Sequence, residues 1–427
     1  MLNTKQQEAV EEVFQFLMTD TKEFNISGFP GTGKTYLMKF ITDTLMKRYK
    51  DACFMYDMPC VPYEIQLCAT TNKAAEVLSK VTSKVATTIH SFLGLQVKND
   101  FSAGKSYLKK TQKWKIHSNL ILFIDEASMA DTELHNIILE SLDNTCKIIY
   151  IGDADQLAPI SDTNSPVYNS NIPTIYLDQS MRNAEKPALI NICSQLRETV
   201  QTGIFKPIVA VPGVIDYLDD SQLQHLLQTQ YRNLSVNSRI LCFTNDRVNQ
   251  YNEYIRNLRQ LPKRLIVGEH LINNSAIAMG RIHMHPEQRV EVISVEPSTS
   301  VIDLDSNDSG ITLHVYNLTV LTDYEEEIEL KIPVDMSSFN KLIKYFGKKK
   351  DWSNYFYLKN NFADLRPKDA ATVHKAQGST YTSVILDLGN IGECYEADTV
   401  ARMLYVGVSR PSERIYLYGE LPWKYTS

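Results

Sequence analysis

No uninterrupted apolar run in this sequence approaches the ~18–20 residues that span a bilayer, so no membrane helix is expected. The opening "MLNTKQQEAVEEVF" has neither a basic start nor a continuous apolar core, so no secretory signal is expected. There is no C-x-x-C pair either. Cysteines 53, 60, 68, 146, 193, 242 and 394 are scattered, several of them in strand-like runs such as "IQLCAT". They read as small buried hydrophobes of a reducing compartment. Net positive charge is also absent: the formal balance is −6, which excludes indiscriminate adhesion to polyanions but leaves a local basic groove open. What is present is ordinary globular composition over 427 residues, without low-complexity tracts. A soluble cytoplasmic protein of two to four domains is the expectation.

The most specific local signal is "EFNIS", a short apolar strand, followed at once by "GFPGTGKT" and then "YLMKFITDTLMKR". In that last segment Leu37, Phe40, Ile41, Thr44 and Leu45 recur at helical spacing. Strand, glycine loop and helix are the context of a phosphate-binding loop. Gly28, Gly31 and Gly33 let backbone N–H groups curl around phosphate oxygens, with Pro30 and Thr32 completing the loop. Lys34 reaches the β- and γ-phosphates of ATP, and Thr35 is placed to ligate Mg2+. "NLILFIDEAS" supplies an acidic pair at the end of an apolar run: Asp125 for the metal, Glu126 to orient and deprotonate water. In "KIIYIGDADQLAPI" a third strand ends near Gln156, which is suited to sensing the γ-phosphate. The alternation of strand and helix predicts a doubly wound parallel sheet.

A second α/β set follows residue 175, with strands in "SRILCFTN", "TSVILDL" and "ERIYLYG" and helices between them. It has no phosphate loop of its own, but offers Arg182 in "DQSMRN" and Arg410 in "VGVSRP". Residues 265–335 have a different texture, alternating rather than helical. In "ITLHVYN", Ile311, Leu313 and Val315 are expected on one face and Thr312, His314 and Tyr316 on the other. Several short strands suggest a small β-barrel inserted into the second α/β set. Phe339, Leu342, Ile343 and Phe346 then mark an amphipathic helix.

"NDFSAGKS" repeats the Gly-Lys-hydroxyl ending of the first loop but not its context. Asn99 stands where a glycine belongs, no buried strand leads in, and "YLKKTQKWK" has no apolar helical face. Leu93, Leu95 and Val97 before it and Tyr107 to Trp114 after it predict the two arms of a hairpin. One nucleotide site is therefore expected.

Strand-gripping chemistry is also legible. "TTNKAA" puts Thr71, Asn72 and Lys73 at a helix N-terminus, where backbone phosphate binds without regard to sequence. "TIHSF" offers His90 and Phe92 for a sugar contact or for stacking on a base, and Thr372, His374 and Lys375 give the second half a comparable grip.

Taken in order, "LNTKQQEAV", "GFPGTGKT", "ATTNKAAEVL", "TIHSFLGL", "IDEAS", "GDADQLAPI", "LDQSMR", "ILCFTNDRVNQYN", "ATVHKAQGSTY" and "LYVGVSR" resemble the motifs of superfamily 1 helicases, in the RecD-like 5′-to-3′ branch. The resemblance covers nearly the whole chain. It implies an α/β fold of two RecA-like doubly wound parallel-sheet domains, with an inserted β-hairpin pin and an inserted SH3-like β-barrel with a helical extension. The expected limits are 1–90 and 117–176 for the first RecA-like domain and 91–116 for the pin. They are 177–260 and 366–427 for the second RecA-like domain and 261–365 for the barrel with its extension.

By the same resemblance Gln6 would read the adenine edge, and Arg182 and Arg410 would stabilise the transition state across the cleft. Gln377 and Gly378 would couple the second domain to the γ-phosphate. Phe101, near the pin tip, would stack at the fork, with the pin's lysines holding phosphate. An ATP- and Mg2+-dependent DNA helicase is implied, moving 5′-to-3′ on single strands and opening forked duplex. It would act as a monomer in the cytoplasm of a phage-infected bacterial cell, in replication or recombination, beside a phage single-strand-binding or recombination protein. Two other classes stay open on the residues alone: a P-loop kinase, and a nucleic-acid clamp in which nucleotide only switches affinity.

Overall fold

Two all-parallel sheets form the frame, because the longest apolar runs can be buried only with helices on both faces. The structure, a computed structural model, describes residues 2–425 except 101–104, 160–164, 169–170, 180–185, 233–236, 275–276, 280–281, 285 and 305–309. The first sheet runs, edge to edge, Ala86–Thr88, Glu64–Ala69, Leu120–Asp125, Lys147–Gly152, Glu23–Gly28 and Thr174–Leu177. Its two central strands are buried at all six positions, as a doubly covered sheet requires. The second sheet runs Ala370–Thr372, Ser238–Cys242, Tyr381–Asp387, Pro411–Tyr418 and Ile215–Leu218. Among the described residues no helix is long and apolar enough to cross a membrane.

The helix after the phosphate loop, Lys34–Met55, is present, but its buried stripe is Leu37, Met38, Ile41, Thr42, Leu45 and Tyr49. Phe40 and Thr44, expected on that stripe, face outward. Helical periodicity fixes a stripe's existence more firmly than its centre. Here the helix settles toward Met38 and Thr42 as it packs on the sheet.

The hairpin expected around the second Gly-Lys-Ser is also present. Leu95–Asp100 pairs antiparallel with Lys105–Lys110, in register from Leu95↔Lys110 to Asp100↔Lys105. Its base is pinned by Thr111, whose N–H and hydroxyl both donate to the Gly94 carbonyl, at 2.9 and 2.7 Å. Gly94 has φ +63°, and a Cβ there would meet the backbone at Lys113 and Trp114.

The inserted region is an antiparallel sheet of His270–Asn273, Arg289–Val295, Ser300–Asp303, Thr312–Thr322, Glu327–Pro333 and Leu365–Pro367. A small hairpin, Ile277–Met279 with Ile282–Met284, lies beside it. The sheet curls without closing. Among the described residues no ladder joins Glu327–Pro333 to Leu365–Pro367, although the Ala363 N–H donates to the Lys331 carbonyl across the gap, 3.1 Å. The expected closed barrel is therefore a half-barrel here.

The long strand Thr312–Thr322 alternates between two faces, each covered over part of its length. Leu313 and Val315 face one core, with Phe339, Phe346, Leu358 and Phe362 of the helices Met336–Lys349 and Trp352–Asn361. Tyr316, Leu318 and Val320 face another, inside the curled sheet. Tyr316 points away from Leu313 and Val315, as the alternation predicted, and is buried because that face is covered too, further along the strand.

Candidate active site at the interdomain cleft

The phosphate loop leaves the first sheet at Gly28, where a Cβ would stand 2.8 Å from both Leu177 Cβ and Thr32 Oγ1. Gly31 and Gly33 have φ of 87° and 77°, the left-handed conformation that turns successive N–H groups inward. Thr32 is fully buried, and its hydroxyl donates to the Phe29 carbonyl at 2.9 Å. The Lys34 ammonium lies on the loop's own Gly28 and Phe29 carbonyls. Thr35, half-buried, opens the following helix. Pro30 lies within the loop.

Gln6 lies against this loop, but as a brace. Its Nε2 donates to the Thr32 carbonyl at 3.0 Å, while its Oε1 accepts from Asn3 N–H in a capping box. The nitrogen and oxygen of its side-chain amide thus each make one contact within the protein.

Asp125 ends the central strand Leu120–Asp125 and accepts from the Glu126 N–H at 2.9 Å. Burial, and then the neighbouring Glu126, push its carboxyl up to about 7. Glu126 sits in the left-handed region, φ 52°, which swings its side chain off the strand and toward the cleft. Its Oε2 is buried with no hydrogen-bond partner among the described residues. Such an orphaned acceptor suits a reacting water.

Across the cleft, a Cβ at Gly378 would stand 3.5 Å from Glu126 Oε1. Gln377 Nε2 donates to Ser128 Oγ at 3.5 Å, so this short segment of the second domain abuts the acidic pair. Arg410 is buried, with Nη2 on Ser409 Oγ (2.7 Å) and Nε on the Val406 carbonyl (3.0 Å). Burial lowers its pKa and the Glu126 charge opposes this, so the two face each other electrostatically. Arg182 lies outside the described residues.

Gln156 is buried, its Nε2 3.3 Å from Asp153 Oδ2 and its Oε1 without a partner among the described residues. The loop that carries it is held from the second domain. Tyr405 OH donates to Asp153 Oδ2 at 2.7 Å, and Arg402 Nη1 donates to the Ala154 and Gln156 carbonyls at 2.9 and 2.7 Å. Arg197 pairs with Asp155 at 2.5 Å. These partners were missed in the sequence, although Tyr405 and Arg402 flank or lie within "LYVGVSR". Nothing local says which loop they touch.

The strand-gripping candidates divide. Thr71 and Thr372 both cap helices, accepting from Ala74 N–H (3.2 Å) and Lys375 N–H (3.4 Å). Asn72 is exposed. Lys73 reaches over to Ser379 Oγ of the second domain, and Lys375 to the Asn274 carbonyl of the insertion at 2.8 Å. His90 and His374 are half-buried, and burial lowers the pKa of each. Phe92 is stacked on His117 at 4.5 Å, which occupies one face of the ring expected to meet a base. Phe101 lies outside the described residues.

Fold and cleft together define a P-loop NTPase made of two RecA-like halves with the hydrolytic groups between them. Comparison with known proteins narrows the class. Residues 1–206 match the family profile of an AAA domain, and residues 369–418 that of a UvrD-like helicase C-terminal domain. The ATP-dependent DNA helicase dda of Enterobacteria phage T4 is 25% identical over 443 residues, covering 94% of this chain and 97% of that one. The ATP-dependent RecD2 DNA helicase of Deinococcus radiodurans is 29% identical over 167 residues, 39% of this chain and 20% of its own. Among solved structures, a Bacteroides Pif1 helicase in complex with ADP-AlF3 and ssDNA superposes with TM-score 0.52 at 14% identity, covering 100% of this chain and 94% of that one. A structure of two coordinating Pif1 helicases at forked dsDNA gives 0.54 at 14%, with the same coverage. At that identity the two structures speak to fold alone. The chain belongs to the superfamily 1 helicases, in the RecD/Dda-like 5′-to-3′ branch of ATP-dependent DNA helicases.

Proposed function

We propose that this chain hydrolyses ATP in the interdomain cleft to step 5′-to-3′ along single-stranded DNA, opening a forked duplex at its hairpin pin. The observation that carries the reading is the buried, unpartnered Glu126 Oε2, opposite Gly378 and Arg410 of the second domain. A nucleotide-gated clamp would need no water-activating carboxylate there. Glu126 takes the proton of the attacking water, and Gln156 orients that water. Lys34 exchanges its loop carbonyls for phosphate oxygens. Arg410, with Arg182, meets charge on the transferring phosphoryl group. Thr35 and Asp125 are the hard oxygen donors that would hold Mg2+, which supplies charge neutralisation on the phosphates. Their fit is supported by the placing of the buried Asp125 carboxyl at the end of its strand beside Glu126, with Thr35 half-buried at the start of the helix that follows the phosphate loop.

Closure brings Gln377 and Gly378 toward the γ-phosphate, and Thr71–Lys73, His90 and Phe92 then alternate with Thr372, His374 and Lys375 in holding the strand. On this reading 1–90 with 117–176 and 177–260 with 366–427 are the motor domains. Residues 91–116 form the pin, Phe101 its wedge, and 261–365 an SH3-like module with helical extension. The proposed setting is a monomer in the cytoplasm of a phage-infected cell, in replication or recombination, beside a phage single-strand-binding or recombination protein.

DNA-stimulated phosphate release by wild type but not by Lys34→Ala tests the motor. Release equally fast without DNA overturns it. Unwinding of a 5′-tailed but not a 3′-tailed duplex tests direction, and the reverse result overturns that assignment.

A further inference from the structure

The helix that begins at the phosphate-loop lysine, Lys34–Met55, ends in a tight reversal of the chain. Tyr56 closes it, with its N–H on the Ala52 carbonyl, and Asp57 follows at φ 50°, in the left-handed region. The Met58 N–H then donates back to the Cys53 carbonyl at 2.9 Å. That hydrogen bond folds a chain back over the last turn of the helix it has just left. Here it carries Pro59, Cys60 and Val61 across the side chains of Tyr49 and Cys53, which share one face of the helix.

Two contacts fix the crossing, one on either side of Cys60. The Cys53 thiol donates to the carbonyl of the residue before it, Pro59, at 3.9 Å. The residue after it, Val61, donates its N–H to the Tyr49 hydroxyl at 3.3 Å. The Cys60 thiol is thereby held beside that of Cys53. Desolvation, and then the hydrogen bond and charge of Cys53, raise the pKa of Cys60. The two sulfurs differ in access. Cys53 is 3% exposed, whereas Cys60 is exposed, against the expectation that the cysteines are small buried hydrophobes. An accessible thiol can take a reagent from solution, and a buried neighbour can then resolve it.

We propose that Cys53 and Cys60 form a thiol–disulfide modification site, closed by a low-molecular-weight disulfide of the glutathione class. Cys60 Sγ, as thiolate, attacks one sulfur of the small disulfide, whose S–S bond breaks and releases one small thiolate. Cys53 Sγ then attacks Cys60 Sγ, the mixed disulfide breaks, and the second small thiolate leaves. Two electrons pass from the protein to the small disulfide, and the two cysteine protons end on the two released thiols. Because Cys60 ionises late, the first step quickens as pH rises above neutral. The closed bridge ties the far end of the phosphate-loop helix to the segment that leads into the strand Glu64–Ala69. It takes freedom from the unfolded chain, while in the fold the two segments already lie together.

The test treats the full chain with oxidised glutathione and reads intact mass, peptide linkage and thermal midpoint. Wild type is expected to lose two hydrogens and retain no glutathione, and to yield a peptide joining Cys53 to Cys60. Its thermal midpoint should rise by about 5 °C and return on adding dithiothreitol. Cys53→Ala is expected to stop at the mixed disulfide, with one glutathione on Cys60. Cys60→Ser is expected to form no link and to show no rise in midpoint; at an exposed position it keeps the test open if Cys53→Ala fails to fold. Wild type that stays unmodified, or that retains glutathione on Cys60, overturns the proposal, because the two sulfurs then do not meet. So does a bridge that leaves out either cysteine, or a Cys53–Cys60 bridge that lowers the midpoint, since the fold would have to distort to form it.

Discussion

"ATTIHSF" at 86–92 and "AATVHKA" at 370–376 are the same local structure used twice. Each begins with a three-residue strand on the edge of its sheet, Ala86–Thr88 or Ala370–Thr372. Each strand ends at a threonine that caps a four-residue helix, Thr88 at φ −71°, ψ 148° and Thr372 at φ −71°, ψ 151°. In each the next residue, Ile89 or Val373, is fully buried. The histidine that follows is half-buried, with its pKa lowered by burial. The difference lies in what comes next. In the first half the chain runs on into the hairpin Leu95–Asp100 and Lys105–Lys110. In the second it turns at Gln377 and Gly378 beside Ser128 and Glu126. One copy of the element leads to the hairpin and the other to Glu126, so on the proposed function a strand held by both is linked to both ends of the reaction.

That comparison can be broken from the nucleotide end first. Arg410→Lys keeps a charge but loses the guanidinium geometry, and ATP hydrolysis should fall by ~10³-fold or more. Affinity for oligo-dT should stay within a few-fold of wild type; a parallel loss of binding would mean that the second copy cannot be separated from catalysis. Equality of the two copies is a smaller and sharper question. His90→Ala and His374→Ala should each weaken oligo-dT binding by ~1–3 kcal/mol, the range for one stacking or sugar contact. A titration in which only one variant loses affinity would make the resemblance local geometry without shared use.

The latch on Gln156 belongs to the same cleft and gives a prediction of comparable size. Tyr405→Phe removes the donor to buried Asp153. It should cost ~1–3 kcal/mol in urea unfolding and slow ATP hydrolysis without changing oligo-dT affinity. Unchanged hydrolysis would reduce the latch to a structural contact.

Smallest is a pH effect on stability. Both histidines have folded pKa values below the ordinary ~6.5. The unfolded chain therefore takes up protons first as pH falls. Stability is complete above that value and declines as pH drops through it toward the lower folded values. Thermal midpoints measured between about pH 7.5 and 5 should fall less steeply for His90→Asn and His374→Asn than for wild type. Parallel slopes would show that the rings protonate freely in the fold.

Local chemistry made much of this legible before any fold. The phosphate loop and the Asp125–Glu126 pair announce themselves because strand, turn and helix are adjacent in sequence, and the hairpin because its arms alternate around a turn. Legibility failed wherever a partner was distant or a face had to be chosen. Phe40 and Thr44 fit the period of the helix Lys34–Met55 yet face outward, since period does not say where the sheet lies. Alternation put Tyr316 opposite Leu313 and Val315 but left its burial unread, because Thr312–Thr322 is covered on one face near its start and on the other further along. The brace from Gln6 to Thr32, a contact across 26 residues, was not read in the sequence.

What the sequence determined by itself is the inventory: one phosphate loop, one acidic pair, the histidine-bearing stretches at His90 and His374, and a hairpin. Each of these is set by backbone conformation and residue type among close neighbours in the chain. Tertiary structure alone decided that Tyr405 and Arg402 hold the Gln156 loop. Those pairings join residues as many as 252 positions apart, and only the packing of two sheets brings them within reach.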